Sequence, residues 1–185
     1  MGIIKSTLYK LSNKNLLWLI KQQTIFPYYH IVSDKKVPHI ENLYPFQSID
    51  QFKNDIAYFL EHYKPLDPDQ FIKLTLNNEK LPENSFLMSF DDGLQEIYSV
   101  VYPILKERGI KAIFFIIPAY VDNKKSFYRH DISIIISHLI SNVYDSSVMN
   151  KICTILSIDF ISNEDVVYHL KKINYSERNK VNEIL

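Results

Sequence analysis

Residues 85–117 place two strand-like apolar runs on either side of one helical pattern, and that order leaves few folds open. Residues 85–90 (SFLMSF) form a short apolar run that stops abruptly at Asp91-Asp92-Gly93, as a buried strand does. Ile97, Val100, Val101, Ile104 and Leu105 follow at the spacing of one helix face. Arg108-Gly109 then supplies the glycine that favours a helix C-terminus. Pro103 lies inside the pattern, where it must either kink the helix or open a fresh first turn. Residues 111–117 (KAIFFII) are a second run of strand length. Strand, helix and strand in succession make a βαβ unit with parallel strands, so the fold class is α/β.

The flanking segments extend this reading. Residues 26–32 (FPYYHIV) are aromatic and β-branched and predict a buried strand. Residues 33–47 are polar and interrupted by prolines, so they predict a loop. Ser48 and Gln51 have the spacing of a capping box. Phe52, Ile56, Phe59, Leu60 and Tyr63 continue it at helical spacing until Pro65. A short helix is expected from near Pro68 within residues 66–76. Beyond Tyr120, residues 130–140, 147–156, 163–173 and 176–185 all suit helices, and no further strand pattern follows. The strands visible are too few to close a barrel by themselves. The chain therefore divides into an N-terminal helical segment (1–23), a strand-bearing region (24–123) and a helical region (124–185).

Charge and cysteine usage exclude some functions. Lys and Arg total 21 and Asp and Glu total 21, so the net charge is zero and the basic surplus of a nucleic-acid binder is missing. With 46% hydrophobic residues over 185 positions, the chain can bury a core. The single cysteine, Cys153, has no partner for an intrachain disulfide, and its apolar neighbours make it a small buried hydrophobe. The apolar stretch from Leu16 to Ile20 is followed at once by Lys21, Gln22 and Gln23. It is too short for a signal peptide or a transmembrane segment. Residues 3–22 read as an amphipathic surface segment, with weak membrane contact through Lys5, Lys10 and Lys14 as the alternative. The expected location is cytoplasmic or peripheral to the cell envelope.

The residues with chemical potential cluster after the first apolar run. Asp91 and Asp92 leave the C-terminal end of a buried strand, where α/β sheets place their ligand sites. Adjacent side chains there can point apart, so one carboxylate can bind a metal while the other handles a proton. Gly93 lets the backbone turn beside them. A strand-end Asp-Asp-Gly also serves as an ordinary turn or helix cap, and spacing alone does not separate the two readings. His30 ends the first predicted strand, either lining the face of Asp91 or bonding backbone. His130 and His138 are nearly two helical turns apart, too far to share one metal. Arg129 is a candidate for holding a substrate anion, or for a salt bridge at a helix start. Glu164-Asp165 reads as the acidic first turn of a helix.

The stretch FLMSFDDGLQEIYSVVYPILKERGIKAIFFIIPAYVDN resembles the first signature region of the polysaccharide deacetylase (NodB-homology, carbohydrate esterase family four) proteins. The upstream Tyr28-Tyr29-His30-Ile31-Val32-Ser33 is similar to the first barrel strand of one bacterial branch, and the resemblance covers residues 26–123. It implies an incomplete (β/α) barrel of the deacetylase type with a helical C-terminal segment. It also implies hydrolysis of a non-peptide C–N bond, the N-acetyl group of an amino-sugar polysaccharide. Asp91 would be the general base and Asp92 a ligand of a divalent metal, usually zinc, which lowers the pKa of bound water towards about 7. His30 and Arg129 would contact substrate, and Tyr28, Tyr29, Tyr44 and Phe46 would either stack on sugar rings or pack internally. Phe127-Tyr128-Arg129-His130 resembles an element that precedes the family's second motif.

That second motif, His-Ser/Thr-x-x-His, has no counterpart among the six histidines, and the arginine-proline motif and late catalytic histidine are also missing. The resemblance therefore implies a truncated, weakly catalytic portion whose exposed barrel edges favour association. Two other readings stay open. One is a non-catalytic carbohydrate-binding or scaffold domain of the same fold. The other is an unrelated α/β protein in which Asp91 and Asp92 cap a helix.

Overall fold

In the computed structural model, which describes residues 23–123 and 125–184, the chain is α/β and forms two compact units. The first comprises residues 23–34 and 47–116, the second residues 35–46 and 117–184. The expected helical segment at residues 1–23 falls outside the described residues except for its last position.

The first unit is built on one central run. The predicted strand at 26–32 narrows to β1 (Tyr28–Tyr29), flanked by single bridges from Ile25 to Phe86 and from Val32 to Gln47. Pro27, which has no N–H to donate, interrupts the ladder just ahead of β1. Helix α1 (Ile49–His62) opens with the predicted capping box. The Gln51 N–H donates to the Ser48 hydroxyl at 3.2 Å, and the Ser48 N–H donates to the Gln51 side chain at 2.9 Å. Strand β2 (Lys64–Pro65) leads into α2 (Pro68–Leu76), which starts on Pro68 as expected and is capped by Asp67. The second Asp67 oxygen holds the Lys111 ammonium at 2.7 Å.

The run expected as one strand at 85–90 carries two ladders, β3 (Ser85–Phe86) and β4 (Met88–Phe90). One side is continuous, since the N–H groups of Leu87, Ser89 and Asp91 donate to Ile25, Pro27 and Tyr29 in turn. The other side changes neighbour. β3 pairs with β2, and β4 pairs with β5 (Ala112–Phe114), all in parallel. Pro103 acts as the sequence requires: lacking an N–H for the carbonyl four residues back, it follows a widened π turn at Ile97–Val101. It then sits in the first turn of α3 (Tyr102–Glu107), and Gly109 closes the helix at φ +64°. Phe52 and Ile56 of α1, with Val101 and Leu105, bury Phe86, Met88 and Phe90 on one face of the sheet. Tyr29 joins that face, its hydroxyl donating to Asp55 at 2.8 Å. Burial first, and then that carboxylate, raise its phenol well above the ordinary range.

The second unit is helical. Its helices are α4 (Tyr128–Ile140), α5 (Ser146–Leu156), α6 (Asn163–Lys172) and α7 (Asn179–Ile184), with short 3-10 turns at Pro118–Asn123 and Tyr175–Glu177. Residues 35–46 are irregular, as expected, yet they group with these helices rather than with the strand segment they follow. The reason is local: Val37 and Ile40 are buried, and the Asn42 amide donates to the Ser133 carbonyl at 2.9 Å and the Ser137 hydroxyl at 2.7 Å. Ile132, Ile135, Ile136, Leu139, Ile152, Val166, Leu170 and Val181 make a continuous core. Cys153 lies in it, and burial pushes its thiol up. Ser162 caps α6, whose first turn carries Glu164 and Asp165. No helix among the described residues is long and apolar enough to cross a membrane.

Candidate active site

The register of the parallel sheet decides which side chains meet at its C-terminal end. Tyr29 pairs with Phe90, and Phe90 with Phe114. One residue further on, His30, Asp91 and Phe115 stand abreast. The Asp91 N–H donates to the Tyr29 carbonyl at 3.0 Å, and the Phe115 N–H to the Phe90 carbonyl at 2.8 Å. Strand alternation turns these three away from the helix-covered face that holds Tyr29 and Phe90. His30 Nε2 lies 3.8 Å from Asp91 Oδ2, an ion-pair distance rather than a hydrogen bond, and both side chains are about one-third exposed. Tyr28, two residues before His30, meets its ring edge-on with centroids 6.0 Å apart.

The turn behind Asp91 is tight. Asp92 and Gly93 both have φ +69°, and the Gly93 N–H donates back to the Asp91 carbonyl at 2.9 Å. Glycine takes this conformation freely, and aspartate is one of the few other residues that tolerates it. A Cβ on Gly93 would meet Ile116 Cγ2 at 3.1 Å, so the close approach of the chain after β5 also requires glycine. Asp91 keeps its sheet hydrogen bond beside His30, and Asp92 follows it in the left-handed turn. A water-accessible carboxylate next to an imidazole can accept a proton from a nucleophilic water.

Of the other residues singled out in the sequence, Arg129 belongs to the helical unit. Its guanidinium donates to the Lys171 carbonyl at 3.4 Å and lies over the Tyr128 ring at 5.3 Å. The His130 ring packs against His39 and Phe127, and His138 Nδ1 lies 3.2 Å from the Tyr144 hydroxyl. Phe115 was not singled out, because its apolar run reads uniformly as buried strand. The alternation from Ile113 was the signal that marked its face. Among the described residues no group of three or more His, Cys, Asp or Glu side chains is placed to hold a metal ion. A catalytic zinc takes three protein ligands, so these residues alone do not fit one.

Residues 78–146 match the family model for polysaccharide deacetylase, spanning β3, β4, the Asp-Asp-Gly turn, β5 and α4. This stretch belongs to the polysaccharide deacetylase family. Over 80 residues the chain is 32% identical to YxkH of Bacillus subtilis, whose name places it among the polysaccharide deacetylases; the match covers 39% of this chain and 29% of that protein. Over 128 residues it is 27% identical to the poly-beta-1,6-N-acetyl-D-glucosamine N-deacetylase of Staphylococcus epidermidis, covering 69% of this chain and 40% of that protein. Among solved structures, IcaB from Ammonifex degensii aligns with a TM-score of 0.48 at 22% identity, over 63% of this chain and 49% of that one. The chain thus spans well under half the length of either relative matched by sequence. The deacetylase match includes both aspartates of the site, while β1 and His30 lie upstream of it.

Proposed function

We propose that the chain carries the aspartate side of a polysaccharide N-deacetylase site, with Asp91 as general base and Asp92 as one ligand of a divalent metal, zinc. The observation that supports this most is the pairing of Asp91 with His30 at the C-terminal end of a parallel sheet, with Asp92 next in the tight turn that follows. In this reading Asp91 takes a proton from the water that attacks the acetamide carbon. The C–N bond then breaks as the amine takes the proton held by Asp91, and acetate is released. His30 contacts the same substrate group. A zinc site built on Asp92 would need further ligands from outside the described residues. A parallel sheet with helices packed on its Phe86, Met88 and Phe90 face is consistent with part of a (β/α) barrel. The substrate class, an acetylated amino-sugar polymer, is that named for the Staphylococcus epidermidis relative.

Calorimetric zinc titration tests this on three proteins: this chain, its Asp92→Ala variant, and any longer product of the same reading frame. The longer product should bind zinc, lose it with Asp92→Ala, and keep it but lose acetate release with Asp91→Asn. Zinc binding indifferent to Asp92→Ala would remove Asp92 from the metal site. Sugar binding without zinc in either product would instead support a non-catalytic carbohydrate-binding domain.

A further inference from the structure

We propose that Phe115 and Tyr28 form an aromatic surface on which a sugar ring of the substrate stacks beside Asp91; the inference rests on the deacetylase reading above. The two faces of the sheet differ in what their aromatic rings do. On the covered face the buried Phe90 stacks on Tyr29 and Phe114 at 5.7 and 5.4 Å, and Tyr29 meets Phe52 at 5.1 Å, with Phe114 on the edge strand still 43% exposed. On the opposite face Phe115 is 57% exposed and Tyr28 67% exposed. Neither position is a frayed end. The Phe115 N–H is bonded to Phe90, and Tyr28 is in register with Ser89.

Neighbouring strands lie about 4.8 Å apart, so Phe115 is one strand from Asp91 on one side and His30 one strand away on the other. Tyr28 lies on the His30 side, against its ring. Two wetted aromatic faces thus flank one carboxylate. Ligand sites combine such apolar walls with a few polar groups that fix orientation. The C–H faces of a pyranose suit an aromatic wall, and its hydroxyl and acetamide edge then reaches the polar pair.

The test is binding of a soluble N-acetylglucosamine oligomer to the full chain, measured by calorimetry. Wild type is compared with Phe115→Leu, Phe115→Ala and Tyr28→Ala, and with Phe160→Ala as an exposed aromatic of the helical unit. Phe115→Leu and Tyr28→Ala should each weaken binding roughly threefold to tenfold, with Phe115→Ala at least as damaging as Phe115→Leu. Phe160→Ala should leave it unchanged, and circular dichroism should show all variants folded. Full affinity in Phe115→Leu would mean that mere apolar bulk matters, and full affinity in Tyr28→Ala would remove that wall. A chain that binds no oligomer overturns the surface outright. The deacetylase reading is judged separately by its zinc and Asp92→Ala readout.

Discussion

The helical unit and the sheet unit bury their apolar residues in different ways. In the helical unit, α4, α5, α6 and α7 turn their apolar stripes towards one another, and Ile132, Ile135, Leu139, Ile152, Val166 and Leu170 end buried together. In the sheet unit α1 and α3 cover one face, while the other buries Leu87 but leaves Tyr28 and Phe115 exposed and His30 and Asp91 about one-third exposed. The difference follows from how each element uses its side chains. A helix has one apolar stripe and needs one neighbour. A strand in a parallel sheet has two faces, and such sheets are ordinarily covered on both. The more open face is where the candidate site lies.

The largest effects should come from the buried side of this contrast. Phe90→Ala removes the ring that links Tyr29, Phe52 and Phe114, and should cost about 3–5 kcal/mol in the sheet unit. Leu139→Ala in α4 should cost about 2–5 kcal/mol in the helical unit. Hydrogen exchange would place the first loss at β1, β4 and β5 and the second in α4, α5 and α6. Comparable losses from Tyr28→Ala or Phe115→Ala would break the comparison, since the more open face would then be part of the core.

A smaller effect sharpens it. Asp92 in the sheet unit and Ser157 at the end of α5 both hold left-handed backbone, φ +69° and +58°. Glycine at either position should stabilise the chain by up to about 1 kcal/mol in denaturant melts, by relieving the steric cost of a Cβ. Only Asp92→Gly should also abolish zinc binding in a longer product. If Asp92→Gly leaves that binding intact, the strain at Asp92 has no functional counterpart.

The smallest effect is electrostatic and lies away from the more open face. Lys111, hydrogen-bonded to Asp67, together with the α2 N-terminal N–H groups, holds the Asp67 carboxyl below its usual value, and Asp67 raises Lys111 in turn. The lowered carboxyl stabilises the fold above its unfolded pKa and loses that contribution as pH falls through its folded value. The raised ammonium contributes below its unfolded pKa and loses this as pH rises through its folded value. The pair should therefore count most across the neutral range. Asp67→Asn should flatten the acid limb of a stability–pH profile, and an unchanged limb would show that solvent screening cancels the pair.

Much of this molecule was legible before any coordinates, and the limits are instructive. The Ser48–Gln51 cap, the helix start at Pro68 and the disruption at Pro103 were readable because each depends on backbone groups within a few residues. The helices after Tyr120 were readable for the same reason, because their periodic stripes are local. Asp91 and Asp92 were visible as a strand-end pair, and the resemblance of the surrounding motif gave that pair its chemistry. Strand extents were overestimated at 26–32 and 111–117. Apolar character continues there, but the strands end at Tyr29 and Phe114, with only a single bridge at Val32 and one last N–H bond at Phe115 beyond them.

By itself, then, the sequence determined the α/β class, the parallel βαβ core, the helical second half and the Asp-Asp-Gly turn. These follow from hydrogen bonds and side-chain periods that close within a short stretch of chain. Only the tertiary structure decided that residues 35–46 pack with the helices, that the run at 85–90 changes partner midway, and that His30, Asp91 and Phe115 share one open face. Those outcomes depend on register and neighbour choice between segments tens of residues apart. A one-residue slip there would turn each strand's side chains to the opposite face.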